Sequence, residues 1–237
     1  MPLPLIKLED VWKIYELGKI ELPVLRGINL EIQPGSFVTI MGPSGSGKST
    51  LMYLLGLLDT PTKGKIYLEG KDVSHLSENE LAEIRGKKIG FVFQQFNLLQ
   101  NLNALENVVM PMIFQGALEG ERQEKAKRIL SLFNMDKRAN HRPAELSGGE
   151  QQRIAIARSL ANDPEIIIAD EPTGNLDSST GKIIMEALTD LHKNQKKTII
   201  VVTHDPNIAN YSEEIVNIRD GQIIKNHNQA GKVLWKA

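Results

Sequence analysis

An α/β fold built on a parallel sheet is predicted by three stretches of this sequence. Ile166-Ile167-Ile168-Ala169-Asp170 and Thr198-Ile199-Ile200-Val201-Val202-Thr203 are uninterrupted apolar runs, the pattern of parallel strands covered on both faces. A helical stretch from Ser178 to Asn194 lies between them and completes a βαβ unit. The third stretch is Phe37-Val38-Thr39-Ile40-Met41, a short apolar strand. It runs into Gly42-Pro43-Ser44-Gly45-Ser46-Gly47-Lys48-Ser49-Thr50 and then the breaker-free helix Leu51-Met52-Tyr53-Leu54-Leu55.

Strand, glycine loop and helix are the context in which G-x-x-x-x-G-K-[ST] is a phosphate loop. Gly42, Gly45 and Gly47 let consecutive N–H groups curl around phosphate oxygens, and the new helix aims its positive end at them. Lys48 neutralises the β- and γ-phosphates, and the Ser49 hydroxyl ligates Mg²⁺. The sequence therefore predicts binding of a nucleoside triphosphate.

Composition sets the limits. At 237 residues the chain is one large domain or a domain with a subdomain, and 41% hydrophobic with 24% charged residues is ordinary globular usage. A net charge of −1 gives no electrostatic case for a general nucleic-acid binder. With no cysteine, disulfides, thiol catalysis and Cys-ligated zinc are excluded. The N-terminus lacks the basic and apolar regions of a secretory signal. No segment approaches the ~20 apolar residues of a membrane span, so any membrane role is expected through a partner.

In chain order, residues 5–15 alternate apolar and polar and suggest an edge strand. Residues 24–32 alternate more cleanly, and Gln33-Pro34-Gly35 turns into the phosphate-loop strand. Lys65 to Lys71 reads as another strand and turn, giving an antiparallel sheet. Ser77-Glu78-Asn79-Glu80 is a capping box opening a helix to about Arg85. Ile89-Gly90-Phe91-Val92-Phe93 is a buried strand ending at Gln94-Gln95. From Phe96 to about Glu145 the pattern turns helical, with helices at Asn103–Phe114 and Glu121–Phe133 and with Gly116 and Gly120 as punctuation. A helix from Ser147 to about Ala161 buries Ile154, Ile156, Ala157 and Leu160. Ile215–Ile218 and Gln222–Ile224 form a hairpin around Asp220-Gly221, and the polar tail after Lys225 is expected to fray.

Asp170 and Glu171 stand at the carboxyl end of a buried strand, where α/β folds bind ligands. Asp170 suits Mg²⁺, directly or through water, and Glu171 suits orienting or deprotonating the attacking water. In Leu146-Ser147-Gly148-Gly149-Glu150, Ser147 is a natural N-cap. Two glycines in the first helical turn cost about 1 kcal/mol each relative to alanine, which points to close backbone approach or an anion at the helix N-terminus.

That string is the signature motif of ATP-binding-cassette ATPases, and the chain resembles this family over nearly its whole length, with the motifs in the family's order. The resemblance implies a P-loop NTPase cassette with three parts: a RecA-like parallel-sheet core, an N-terminal antiparallel β subdomain and an inserted α-helical subdomain. In this chain these would be 1–95 and 146–237 for the core with its β subdomain, and 96–145 for the helices. It implies ATP and Mg²⁺ as ligands, with Tyr15 stacking on adenine and Gln94 touching Mg²⁺ and the attacking water. Asp177 lies in the loop Gly174-Asn175-Leu176-Asp177, which departs from the family's commoner Ser-Ala-Leu-Asp. His204, in Thr203-His204-Asp205, resembles the switch histidine contacting the γ-phosphate, while His75, His141, His192 and His227 are assigned to the surface. The resemblance further implies a head-to-tail homodimer closed by ATP, in which Ser147, Gly148 and Gly149 of one copy cap the phosphate held by Lys48 of the other.

Three strings resemble the lipoprotein-releasing and macrolide-efflux branch: Ile40 to Thr50, Gly90-Phe91-Val92-Phe93-Gln94-Gln95-Phe96-Asn97-Leu98-Leu99, and Ala104-Leu105-Glu106-Asn107-Val108. This similarity implies a chain peripheral on the cytoplasmic face of the membrane, bound to a permease with a large extracytoplasmic domain and not to nucleic acid. Phe96, Leu98, Leu99 and Leu102 are either part of the groove for a permease helix or subdomain core. The alternative is a cell-division-type ATPase that regulates a membrane partner without transport. About fifty residues between Gln94 and Leu146 are too few for the coiled coil of a DNA-repair cassette, and a single cassette does not fit the tandem translation factors.

Overall fold

The computed structural model describes residues 3–18 and 20–228, with only the backbone described for Leu17 and for 225–228. Two compact units make up the chain, Met1–Ala82 with Lys196–Ala237, and Glu83–Gln195. The first carries β1 (Ile6–Leu17), β2 (Ile20–Ile32), β3 (Phe37–Met41), α1 (Lys48–Leu55), β4 (Lys63–Leu68) and β5 (Lys71–Asp72). The division falls within α2 (Glu78–Lys88). The second unit continues with β6 (Ile89–Val92), α3 (Ala104–Phe114), α4 (Glu119–Leu132), α5 (Gly148–Ser159), β7 (Ile166–Asp170) and α6 (Ser178–Gln195). Back in the first unit follow β8 (Thr198–Thr203), α7 (Pro206–Ala209), β9 (Glu214–Arg219) and β10 (Gln222–Asn228).

In the first unit, an antiparallel sheet runs in the order β2-β1-β4-β5. Here the expectation of an edge strand at residues 5–15 is corrected: β1 is central, paired to β2 on one side and β4 on the other. What reads as ragged alternation is a series of register shifts between Leu8 and Ile14, with Asp10 at φ 46. Such bulges turn a strand without freeing its edge. Beside this sheet in sequence, β3 pairs in parallel with β8 and β9, and β10 closes the hairpin on β9. Asp220 (φ 49) and Gly221 (φ 78) both take positive φ, as a two-residue type I′ turn demands. β8 is buried along its whole length and β3 at four of its five residues, as expected of a doubly covered parallel sheet. β10 extends to Asn228, three residues beyond the point where fraying was expected.

In the second unit, β6 and β7 pair in parallel. Against β6 and α3 packs α5, in which Ile154, Ala155, Ile156 and Ala157 are each 0% exposed. Burying one such isoleucine fully is worth about 1.5–3 kcal/mol. The capping box at Ser77 is present, with Glu80 Oε2 accepting from the Ser77 N–H at 2.8 Å, and a second opens α3 at Asn103. Gly120 does not punctuate; it lies within the first turn of α4, where it meets no other group. His192 is also corrected: it is buried, because it continues the stripe Ile184, Leu188, Leu191 on the inner side of α6. Asn107 organises the 99–103 loop from within. Its amide donates to Leu99, Leu102 and Asn103 carbonyls, and its Oδ1 accepts from Leu99 N–H.

Candidate active site

Sequence dictates the phosphate loop locally: β3 ends at Met41 and α1 starts at Lys48, so Gly42–Gly47 must reverse the chain in six residues. Gly47 does so at φ 100, immediately before the first turn of α1. Gly42 is there for close approach, since a Cβ would stand 2.1 Å from the Ile218 carbonyl oxygen and 2.7 Å from Ser46 Oγ. The Lys48 ammonium folds back over the loop and donates to the Gly42 and Pro43 carbonyls at 2.8 and 2.9 Å. Pro43, Ser44, Gly45 and Ser49 are exposed, whereas Ser46 is buried and Thr50 half-buried.

β3 and β8 run in register with Met41 opposite Thr203. Gly42 and His204 therefore each follow the carboxyl end of neighbouring parallel strands, the usual ligand side of an α/β sheet. His204 is exposed, and Asp205 beside it caps α7 by accepting from Asn207 N–H at 2.8 Å.

Tyr15 lies within reach of the Thr50 hydroxyl. Its own hydroxyl donates to Asp59 Oδ2 at 3.0 Å, and Lys13 Nζ sits 5.1 Å from the ring centroid while donating to Asp59 Oδ1 at 2.5 Å and the Thr60 carbonyl at 2.9 Å. Burial pushes the Tyr15 phenol up, and the Asp59 carboxylate beside it adds to the rise. At Asp59 burial acts upward too, but hydrogen bonds from Lys13, the Thr60 N–H and Tyr15 outweigh it and hold the carboxyl low. A cation at this distance from an aromatic face is attracted to it. One ring face and the hydroxyl of Tyr15 are thus fixed by Lys13 and Asp59. Neither residue was singled out from sequence, since 46 residues separate them and neither belongs to a motif.

In the second unit, Val92 of β6 stands opposite Ala169 of β7. Gln94, Asp170 and Glu171 accordingly gather at one strand end. Glu171 has φ 42, a left-handed conformation that costs a non-glycine residue on the order of 1 kcal/mol and is concentrated at functional positions. Ser147 caps α5: its Oγ accepts from Glu150 N–H at 3.3 Å, and Glu150 Oε2 accepts from Ser147 N–H at 2.9 Å. Arg138 Nε donates to the other Glu150 oxygen at 2.8 Å. The Ser147 N–H leads the causes that lower the Glu150 carboxyl, burial opposes it, and Arg138 adds to the lowering.

Gly148 and Gly149 follow in the first turn of α5. A Cβ on Gly149 would lie 2.4 Å from Thr180 Cγ2, so the close approach inferred from the two glycines is made to α6. Asp177 caps α6, accepting from the Ser179 and Thr180 N–H groups at 3.1 Å and from the Thr180 hydroxyl at 2.6 Å. The Ser179 and Thr180 hydroxyls hold its carboxyl well below the usual carboxylate range. Gln152, fully buried, donates to the Pro172 carbonyl at 2.7 Å and so ties α5 to the residue after Glu171.

A family model described as ABC transporter matches residues 25–174. This chain belongs to the ABC transporter family. The match spans the phosphate loop, Gln94, the Ser147–Gly149 signature, Asp170 and Glu171. The cassette is 54% identical over 218 residues to an uncharacterised ABC transporter ATP-binding protein of Thermotoga maritima, covering 92% of this chain and 93% of that one. It is 49% identical to the macrolide export ATP-binding/permease protein MacB of Marinobacter nauticus, covering 94% of this chain but 35% of MacB. Among solved structures it is similar to the dimeric ATP-binding cassette MJ0796, whose gene product in Methanocaldococcus jannaschii is 50% identical over 231 residues. The post-hydrolysis structure of MJ0796 bound to ADP and Pi has a TM-score of 0.89 at 48% identity and covers 96% of this chain and 100% of that one. As a member of this family, the cassette binds ATP and hydrolyses it.

Proposed function

We propose that this cassette is the ATP-hydrolysing subunit of a lipoprotein-release or macrolide-export type transporter. It would work as a homodimer on the cytoplasmic face of the membrane, attached to a permease with a large extracytoplasmic domain. The observation that carries this reading is its near-half identity, over almost its full length, to one third of MacB, whose name joins ATP-binding and permease functions in a single protein. No helix among the described residues is long and apolar enough to cross a membrane.

In this reading Lys48 and the amides of Gly42–Thr50 hold the ATP phosphates, and Tyr15 meets the adenine. Ser49, Gln94 and Asp170 offer a hydroxyl, an amide and a carboxylate oxygen, hard donors that suit Mg²⁺. Bound there, the cation would neutralise charge on the phosphate oxygens. Glu171 accepts a proton from the attacking water, and His204 contacts the γ-phosphate. Ser147, Gly148 and Gly149 of the second copy cap that phosphate, with Asp177 nearby. ATP binding then favours the closed pair, and hydrolysis removes that preference. Residues 96–145 serve as the helical subdomain, inserted in a core of 1–95 and 146–237. On it Leu99 is 46% exposed whereas Leu98 is 6% exposed, so Leu99 is the better candidate for the permease groove and Leu98 belongs to the core.

The test is affinity purification of tagged Glu171→Gln protein from its native membranes with Mg-ATP present. Recovery of a multi-spanning protein with a large external domain is the expected result. Recovery of soluble partners or nucleic acid alone would remove the transporter assignment and leave the ATPase chemistry standing.

A further inference from the structure

The loop Gly174-Asn175 differs from the Ser-Ala commoner at this place in the family, and the structure supplies a physical reason for both residues. Asn175 Nδ2 donates to the main-chain carbonyl of Gln94 at 2.8 Å. Gly174 lies against the other end of the same residue: a Cβ there would stand 2.8 Å from Gln94 Nε2 and 3.3 Å from its Cδ. Gly174 is itself tied to the catalytic strand end, its N–H donating to the Glu171 carbonyl at 3.0 Å. The segment just after Gln94 is held from a second side. Phe96 (φ 58) and Asn97 (φ 50) are consecutive left-handed residues, and the Arg158 guanidinium of α5 donates to both their carbonyls, at 2.9 Å to Phe96.

We propose that Asn175 is a positioning residue for Gln94. Its amide latches the Gln94 main chain while the bare Gly174 backbone leaves room for the Gln94 carboxamide, so that carboxamide is held at a fixed distance from Glu171. Glycine and asparagine are a matched pair: serine at 174 would crowd the carboxamide, and alanine at 175 has no donor. A turn with two successive left-handed residues is costly to hold, and Asn175 and Arg158 grip it from its two ends. The inference rests on the reading that Gln94 serves the cation and the attacking water.

The experiment is steady-state ATPase kinetics against ATP and against Mg²⁺ for wild type, Asn175→Asp, Asn175→Ala and Gln94→Ala. Asn175→Asp keeps the shape and removes the N–H donor. A hydrogen bond of ordinary net strength corresponds to about a 3- to 10-fold effect. Both Asn175 variants should therefore lose about that factor in kcat, keep the ATP KM within about twofold, and need about 3-fold more Mg²⁺ for half-maximal rate. A purely structural role would lower the melting temperature and leave the Mg²⁺ requirement unmoved. If Gln94→Ala shifts the Mg²⁺ requirement and neither Asn175 variant does, the latch is overturned. If Gln94→Ala leaves it unchanged, the reading of Gln94 falls, and the inference with it.

Discussion

Replacing Glu171 with glutamine is expected to lower the rate of ATP hydrolysis by about 10²–10⁴ while leaving ATP binding intact, the range that a positioned general base contributes. Glutamine matches glutamate in size and still accepts a hydrogen bond, but it cannot take a proton from water. The groups assigned to the phosphates and the adenine are other residues, Lys48 over the phosphate loop and Tyr15 anchored on Asp59, and the substitution leaves them unchanged. With hydrolysis stalled, the ATP-bound pair should accumulate, and the variant should elute as a dimer with Mg-ATP and as a smaller species with ADP. Single-turnover hydrolysis and size-exclusion chromatography read the two effects separately. A variant hydrolysing at near the wild-type rate would take the base role from Glu171.

Gly42→Ala should be the most damaging single methyl group in the phosphate loop. The added Cβ meets the Ile218 carbonyl at 2.1 Å and the Ile218 Cγ2 at 3.1 Å. Ile218 is no flexible tip: it lies in β9, which pairs in parallel with β3 with Asn217 opposite Met41. Relief requires moving the loop off the sheet. Overpacking of this kind costs typically 1–3 kcal/mol and more where backbone is hit, so a loss of about 3 kcal/mol is expected. For a chain of this length that lowers the melting temperature by about 6–12 °C, and ATP affinity should drop because the loop amides are displaced. Gly45→Ala is the comparison. Gly45 takes φ +76 with nothing within 4 Å of a Cβ, so only the left-handed conformation is penalised, by about 1–2 kcal/mol. Thermal melts of the two variants check the difference.

Much of this was readable from the sequence because it is local. Strand, glycine loop and helix at 37–55 lie within one stretch, as do the Asp220-Gly221 turn, the capping box at Ser77 and the N-cap at Ser147. The apolar runs at 166–169 and 199–202 became buried parallel strands because their side chains are apolar on both faces. The misreadings involve long-range contacts. Bulges in β1 look like the broken alternation of an edge strand until β4 is seen on its other side. His192 looks solvated until the inner stripe of α6 is traced past Leu188. Lys13 and Asp59 carry no motif, and their role appears only when folding brings them to Tyr15. The Gly174-Asn175 departure was visible as a departure, but its partner Gln94 lies about eighty residues away and could not be named from the string.

In the proposed dimer each ATP is shared, held by Lys48 of one copy and capped by Ser147–Gly149 of the other. Trans-complementation tests it most directly, by mixing Lys48→Ala protein with Ser147→Arg protein, each inactive alone. In a two-fold pair, a contact from one residue of the first copy to a different residue of the second is repeated in the opposite sense. The mixed dimer therefore holds one site with both defects and one site with neither, and an equimolar mixture should recover about a quarter of the wild-type ATPase activity. Activity no greater than the sum of the two variants measured separately would contradict the shared site and place the whole of catalysis within a single copy.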